Sequence, residues 1–269
     1  MTRGENFLIV TLLKNRVFRR RMLKKALNNE LRGSYFGEKV LSNMNFIMSR
    51  NTNYHDEFQE MMGKDKNYSK IFWSSDLGYL WYSVNHTNSN NEYFHFAVDR
   101  FEMQGYTSQL DVGCGWGELS ILISAITGAT KVHGIDVSEE VINMAKKQSH
   151  PFDNLKFYVA DVKEINEKFD LVTLFGATDY ILPEELYDFL KKMLSIAEKE
   201  ILIVNSLRGV KFEDVRELTS ARKIIRYDVG YVQPLNHLLS QLQKEINFTY
   251  TLRKISKDSI MAQIFLAND

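Results

Sequence analysis

The rhythm of apolar positions changes near residue 106. Before it, Leu13 and Val17, then Phe18, Met22 and Ala26, then Leu23, Leu27 and Leu31 recur three or four residues apart with basic residues between them, a helical pattern. After it, short apolar runs alternate with helical stretches, as expected of βα units and a largely parallel sheet. Seven runs read as strands: SQLDV, KVHGID, LKFYVAD, FDLVTLF, EILIVNSL, FTYTLRKIS and SIMAQIFLA. Helices are predicted to start near Glu118, Ser138, Pro183 and Pro234. Ser138 offers a capping oxygen ahead of Glu139 and Glu140, and Pro183 precedes Glu184 and Glu185, so both starts place acids in a first helical turn.

Only Lys257 and Asp258 separate the last two strands, a link short enough to permit only an antiparallel neighbour. The pattern therefore predicts an α/β fold: a seven-stranded, mostly parallel sheet with helices on both faces and a C-terminal antiparallel strand, preceded by an N-terminal helical extension. A chain of 269 residues, 44% of them hydrophobic, can bury a full core for such a sheet.

The first predicted strand runs into LDVGCGWGELS, where Gly113, Gly115 and Gly117 follow Asp111. An acid, a glycine turn and a helix starting near Glu118 put bare backbone at the carboxyl edge of a parallel sheet, where α/β proteins bind ligands. Glycines admit a close approach and positive φ, and the helix beyond offers free N–H groups to a carboxylate or phosphate. A plain tight turn would also account for the glycines. The spacing is not the G-x-G-x-x-G of dinucleotide sites, because Glu118 stands where the third glycine belongs.

Two further acids end the next two strands. Asp136 is placed to accept both hydroxyls of a ribose, and Asp161 to accept the exocyclic amine of an adenine whose ring packs on Val162. Asp111, Asp136 and Asp161 form a row with no lysine or arginine among the motif residues, which repels a phosphate-rich ligand and suits a cationic one.

Charge and cysteine content narrow the setting. The net charge is zero, yet residues 1–32 hold nine Lys/Arg against two acids, a net of +7. The stretch KNRVFRRRMLKK could follow RNA phosphates or an anionic membrane face, or be the solvated face of a helix, the ordinary behaviour of charged faces. FLIVTLL, closed off by Lys14 and Arg16, is too short to span a bilayer and has no small-residue cleavage site after it. Cys114 is the one cysteine, which excludes an intrachain disulfide and fits a reducing, cytoplasmic setting. In its glycine turn it reads as a small, adaptable side chain rather than a nucleophile. The six histidines form no metal constellation; His133 lies within a strand, and His86 and His95 are alternative bases.

Taken together, LDVGCGWGE, VHGIDVSEEVINMAKK, VADV and KFDLVTLFGATDYI resemble, in order, the motifs of the class I S-adenosylmethionine-dependent methyltransferases. The resemblance runs from about Tyr106 to Leu266 and includes the final antiparallel hairpin. It implies S-adenosyl-L-methionine as cofactor, with Asp111, Gly113, Gly115 and Gly117 at the methionine part, Asp136 and Val137 at the ribose side, Asp161 and Val162 at the adenine, and Phe175 near the cofactor. It also implies that residues 1–105 form a lid over the cofactor and acceptor site, with residues 106–269 as the cofactor-binding domain. The family often carries an acid followed by histidine after strand four. This chain has Thr178, Asp179 and Tyr180, so Asp179 becomes the first candidate base and Tyr180 the second. GCGWG is also similar to the cyclopropane fatty-acid synthases, but that same acid–histidine pair is missing.

The expected acceptor is an oxygen or nitrogen of a small molecule: a secondary metabolite, sugar or modified peptide. Nine aromatics within residues 68–96 suit an organic acceptor of some size, and equally suit packing of the extension. After strand five, RGVKFEDVRELTSARKIIRYDVGYVQP is the other place where this family builds specificity, and Arg226, Tyr227, Asp228 and Tyr231 are candidates for a pocket wall. RNA is the runner-up acceptor through the basic arm, weakened by the lack of an Asn/Asp-Pro-Pro-aromatic tetrad. A non-catalytic binding protein on the same fold is the third reading.

Overall fold

The computed structural model describes residues 12–13, 15–27, 30–31, 34–37 and 40 of the N-terminal segment, then 105–127, 129–148, 153–225, 229–256 and 259–267. The expected lid, the aromatic stretch 68–96, His86 and His95 lie outside the described residues, apart from helix α1 (Arg16–Leu27) and a few neighbours. The chain divides into two compact units, Met1–Ser89 with Ile225–Val229, and Asn90–Ile224 with Gly230–Asp269. Within the first, Met22 and Ala26 of α1 are buried one turn apart, whereas Val17, read as part of the same apolar pattern, is exposed.

The second unit holds the sheet. Its elements are β1 (Ser108–Val112), α2 (Glu118–Thr127), β2 (Lys131–Asp136), α3 (Glu139–Gln148), β3 (Leu155–Val159), β4 (Phe169–Phe175), α4 (Pro183–Ile196), β5 (Ala197–Ser206), α5 (Phe212–Glu217), β6 (Arg222–Ile225), β7 (Val229–Val232), α6 (Leu235–Leu242), β8 (Phe248–Lys254) and β9 (Ser259–Leu266). Seven strands form one sheet in the order β3-β2-β1-β4-β5-β9-β8, and β6 with β7 makes a separate ribbon. The first five are parallel, whereas β9 runs antiparallel to both β5 and β8. The chain therefore crosses to the far edge with β8 and returns through β9 to fill the gap beside β5. The sequence predicted the antiparallel pairing but not this insertion, nor α5, β6 and β7, whose short mixed runs carry little periodicity.

Burial explains each strand's composition. Residues 109–112 of β1 and 169–174 of β4 are buried throughout, as central strands covered on both faces must be, while edge strand β3 alternates with Leu155 and Phe157 inward and Lys156 and Tyr158 outward. Leu110, Val112, Val172, Leu174, Ile201 and Ile203 face α4 and α6, which contribute Leu186, Leu190, Met193, Leu235 and Leu239. The opposite face packs Ile142 and Ala145 of α3 and Ile121 of α2 against Val132, Leu155 and Phe157. Each such aliphatic side chain removed from water contributes roughly 1.5–3 kcal/mol.

The helices begin where the sequence says. Ser138 Oγ accepts the Val141 N–H at 3.4 Å, and α3 carries Glu139 and Glu140 in its first turn and Lys146 and Lys147 in its last, complementing its dipole at both ends. Pro183 opens α4 with no need of an N–H partner. Among the described residues no helix is long and apolar enough to cross a membrane.

Candidate active site

The parallel order brings the ends of β1, β2 and β4 together at one edge, with the loop Gly113–Gly117 between them. Gly113, Gly115 and Gly117 have φ of 67°, 57° and 83°, the left-handed region that penalises any side chain. Two also have no room for one. A Cβ on Gly113 would stand 2.7 Å from Ala177 Cβ, and one on Gly117 would overlap the Phe157 ring. The bare backbone thus has packing reasons: it lets the segment after β4 close against the loop and lets β3 seat its phenylalanine.

Asp111 is buried, 2% exposed, and both its oxygens are engaged: Oδ2 accepts the Ser120 hydroxyl at 2.5 Å and Oδ1 the Thr173 hydroxyl at 2.9 Å. It ties α2 to β4 across β1. Burial pushes its carboxyl up to about 6, against the two hydroxyl hydrogen bonds, with the charge of Asp136 adding to the rise. Asp136 sits at the end of β2, where Oδ2 accepts the Gly115 N–H at 3.3 Å and Oδ1 the Ser138 N–H at 2.9 Å. Burial raises it as well, opposed by backbone N–H groups of Ser138, Gly115 and Val137. Among the described residues, neither acid is paired with a lysine or arginine.

Asp161 caps a single helical turn, Val162–Glu164: its Oδ1 accepts the Lys163 N–H at 2.9 Å while its own N–H donates to Glu164 at 3.3 Å. Val162 is 2% exposed and belongs to the core under α4, so its side chain is already covered; Val137 beside Asp136 is the open apolar side chain, 38% exposed. Phe175 is half-buried against a cluster that includes Leu171, Leu202 and Val204. Burial pushes the Cys114 thiol well up, with the charges of Asp136 and Asp111 adding to the effect, which keeps it protonated and inert. His133 is packed edge-on to Tyr158 and Phe169, with ring centroids 5.1 and 5.5 Å away.

The segment after β4 is built differently. Asp179 is buried and accepts from Arg208 Nε at 3.1 Å, the two side chains being 4% and 7% exposed. Tyr180 lies with its ring centroid 5.4 Å from the guanidinium carbon. Thr178 donates its hydroxyl to Asn205 at the end of β5, and Gln233 Nε2 donates to the carbonyls of Thr178 and Ile181 at 2.9 and 2.8 Å. Of the wall candidates beyond β5, Tyr231 is half-buried, its phenol raised by burial and by the charge of Glu184, while Arg226, Tyr227 and Asp228 lie outside the described residues.

A family model described as a methyltransferase domain covers residues 110–200. The probable cobalt-precorrin-6B C(15)-methyltransferase (decarboxylating) of Methanococcus maripaludis is 32% identical over 152 residues, spanning 54% of this chain and 80% of that protein.

The chain belongs to the class I S-adenosylmethionine-dependent methyltransferases.

Ribosomal protein L11 methyltransferase of Aquifex aeolicus is 35% identical over 131 residues, 45% of this methyltransferase and 52% of the relative, so the chain spans about half that relative's length. The same fold recurs in the plantazolicin methyltransferase BpumL bound to a triazolic desmethylPZN analog and SAH, with a TM-score of 0.57 at 16% identity, over 80% of this chain and 100% of that one.

The residue that sequence reasoning passed over in this methyltransferase is Arg208. Residues Leu207–Val210 close a turn through the Val210 N–H to the Leu207 carbonyl at 2.8 Å, with Arg208 at φ 49° and Gly209 at φ 80°. Such mirror-image turns favour Asn-Gly or Gly-Gly, and Arg208 is the one non-glycine at positive φ among the described residues. Holding a side chain there costs roughly 1–3 kcal/mol, which the buried contact to Asp179 offsets. The dipeptide Arg-Gly directly after a strand was the available signal.

Proposed function

We propose that this chain transfers a methyl group from S-adenosyl-L-methionine to an oxygen or nitrogen of a small-molecule acceptor. The observation that carries the cofactor half is the pair of acids beside the glycine loop, Asp111 buried and Asp136 half-buried, neither of them paired with a lysine or arginine among the described residues. A nucleoside sulfonium fits that donor set. Asp136 accepts backbone N–H groups at both oxygens, and the capacity of a carboxylate leaves room for a ribose hydroxyl, while Val137 supplies an open apolar surface next to it. Asp161 and Phe175 stand at the neighbouring strand ends for the adenine and the methionine side, and the glycine loop admits the methionine backbone. When bound, the cofactor supplies a methyl group already activated by the positive sulfur.

The protein's own task is then alignment and exclusion of water, and positioning alone can supply much of the acceleration. Asp179 fills its role by holding Arg208: taking a proton from an acceptor would discharge the carboxylate that bonds the guanidinium at 3.1 Å. Tyr180, stacked on that guanidinium, forms the side of the acceptor wall that the pair holds in place. An acceptor that needs no base to make it nucleophilic, such as a phenolate or an uncharged amine that sheds its proton after methylation, suits a site arranged this way.

Among solved relatives of the fold, the protein titled plantazolicin methyltransferase holds a desmethylPZN analog; an azole-bearing peptide is one acceptor of the size we propose. The test is methyl transfer from radiolabelled S-adenosylmethionine into fractionated metabolite extracts. Label in a low-molecular-weight product that requires the protein supports the reading; label recovered only in RNA or protein refutes the small-molecule acceptor.

A further inference from the structure

Arg208 stands at a junction of three segments. Its Nε bonds Asp179 in the segment after β4, its guanidinium faces the Tyr180 ring, and a Cβ on Gly230 of β7 would overlap the guanidinium carbon and both terminal nitrogens. Gly230 has no positive φ requirement, so its lack of a side chain answers to the arginine rather than to backbone shape. Three residues on, Gln233 binds the carbonyls of Thr178 and Ile181, so both ends of the Thr178–Ile181 turn are tied to the same stretch of chain. On its other side this segment touches the cofactor loop, where Ala177 occupies the space a Gly113 side chain would need.

We propose that Arg208 is a positioning residue of this methyltransferase. Its guanidinium bonds Asp179 through Nε and crowds Gly230, and so latches the segment Ala177–Ile181 to the chain at Gly230–Gln233, keeping the acceptor wall at a fixed distance from the cofactor loop. The planar fork is what the junction uses. Lysine carries the charge but has neither the Nε donor along the stem nor a flat face to lie against a glycine and a tyrosine ring. The strained backbone at Arg208 belongs to the same device: the residue is held in the left-handed region, its N–H donating to Ser206 Oγ at 3.1 Å, while its side chain reaches Asp179.

The inference rests on reading the segment after β4 as the acceptor side of the site, and the experiment separates the two. Hydrogen–deuterium exchange is followed peptide by peptide in the wild type, Gly230→Ala and Arg208→Lys, each with and without S-adenosylhomocysteine. Alanine at position 230 meets only the far end of a flexible side chain, so it displaces the guanidinium without unfolding β7. The latch predicts exchange at least tenfold faster in both variants for amides 177–181 and 230–233, with β1, β2 and β4 unchanged, and with S-adenosylhomocysteine still protecting residues 113–117. Wild-type exchange at 177–181 in Gly230→Ala, full rescue by lysine, or a uniform acceleration over the whole sheet overturns it. If the cofactor product protects nothing in the wild type, the reading of the site fails, while the exchange comparison still decides the latch.

Discussion

Three aspartates stand at one edge of the sheet, Asp111 and Asp179 buried and Asp136 half-buried, and they are held in two different ways. Among the described residues, Asp111 and Asp136, beside the glycine loop, hold hydroxyls and backbone N–H groups, and burial raises both. Asp179, beyond β4, holds an arginine. A buried charge without a partner is costly, and a protein keeps one where a ligand is to complete it. On the proposed function, the cofactor half of the site is left open to a cation, whereas Asp179 on the acceptor side is closed on an arginine. On that reading the same residue type serves binding in one place and architecture in the other.

The largest effect is expected where the closed half is opened. Arg208→Ala leaves Asp179 buried without its partner and should lower the unfolding free energy by about 3–5 kcal/mol, read from urea denaturation. A loss under 1 kcal/mol would mean that the pair is solvated in solution and that the contrast between the two halves does not hold.

Removing Asp136 strikes the open half. Asp136→Ala takes away the proposed ribose acceptor and should weaken S-adenosylhomocysteine binding by about 1–3 kcal/mol, where each 1.4 kcal/mol is tenfold in Kd. Unchanged affinity in a folded variant would remove Asp136 from the site.

A pH profile sharpens the contrast further. The Asp111 carboxyl is raised from 3.8 to about 6 in the folded chain, so between these values the folded state keeps a proton that the unfolded chain has released. Its contribution to stability is therefore full below about pH 4, falls as pH rises through 6, and is flat above. Asp111→Asn should abolish that fall and make the ligand-free protein more stable than wild type at pH 7 by about 1–2 kcal/mol. A variant less stable than wild type at that pH would show that the carboxylate is well solvated by its two hydroxyl partners.

The smallest effect is expected at the surface. Lys191 and Glu245 lie 2.6 Å apart with nearly half of each side chain exposed, and Lys191→Ala should leave the denaturation midpoint within error. It calibrates how much of the Arg208 effect is burial.

Much of this was legible in the sequence, for reasons that can be traced. The central strands are continuous apolar runs because both faces are covered, and α3 and α4 announce their first turns through Ser138 and Pro183. The three strand-end acids were visible because strand ends in a parallel sheet share one edge. What was not legible depends on distant pairing. That β9 enters between β5 and β8 follows from which edge stays open after β5, which no local pattern records. Val162 reads as an adenine contact by motif, yet its side chain lies under α4, and Val137 is the open one. Arg208 looks like loop polarity until its left-handed turn and the position of Asp179, 29 residues earlier, are both known.

The most direct measurement is a calorimetric titration of S-adenosylhomocysteine, with NAD in parallel, into the wild type and into Asp136→Ala. The account predicts binding of the first ligand and not of NAD, with the variant weakened by about fivefold or more. Binding of NAD, or equal affinity for S-adenosylhomocysteine in both proteins, would contradict it.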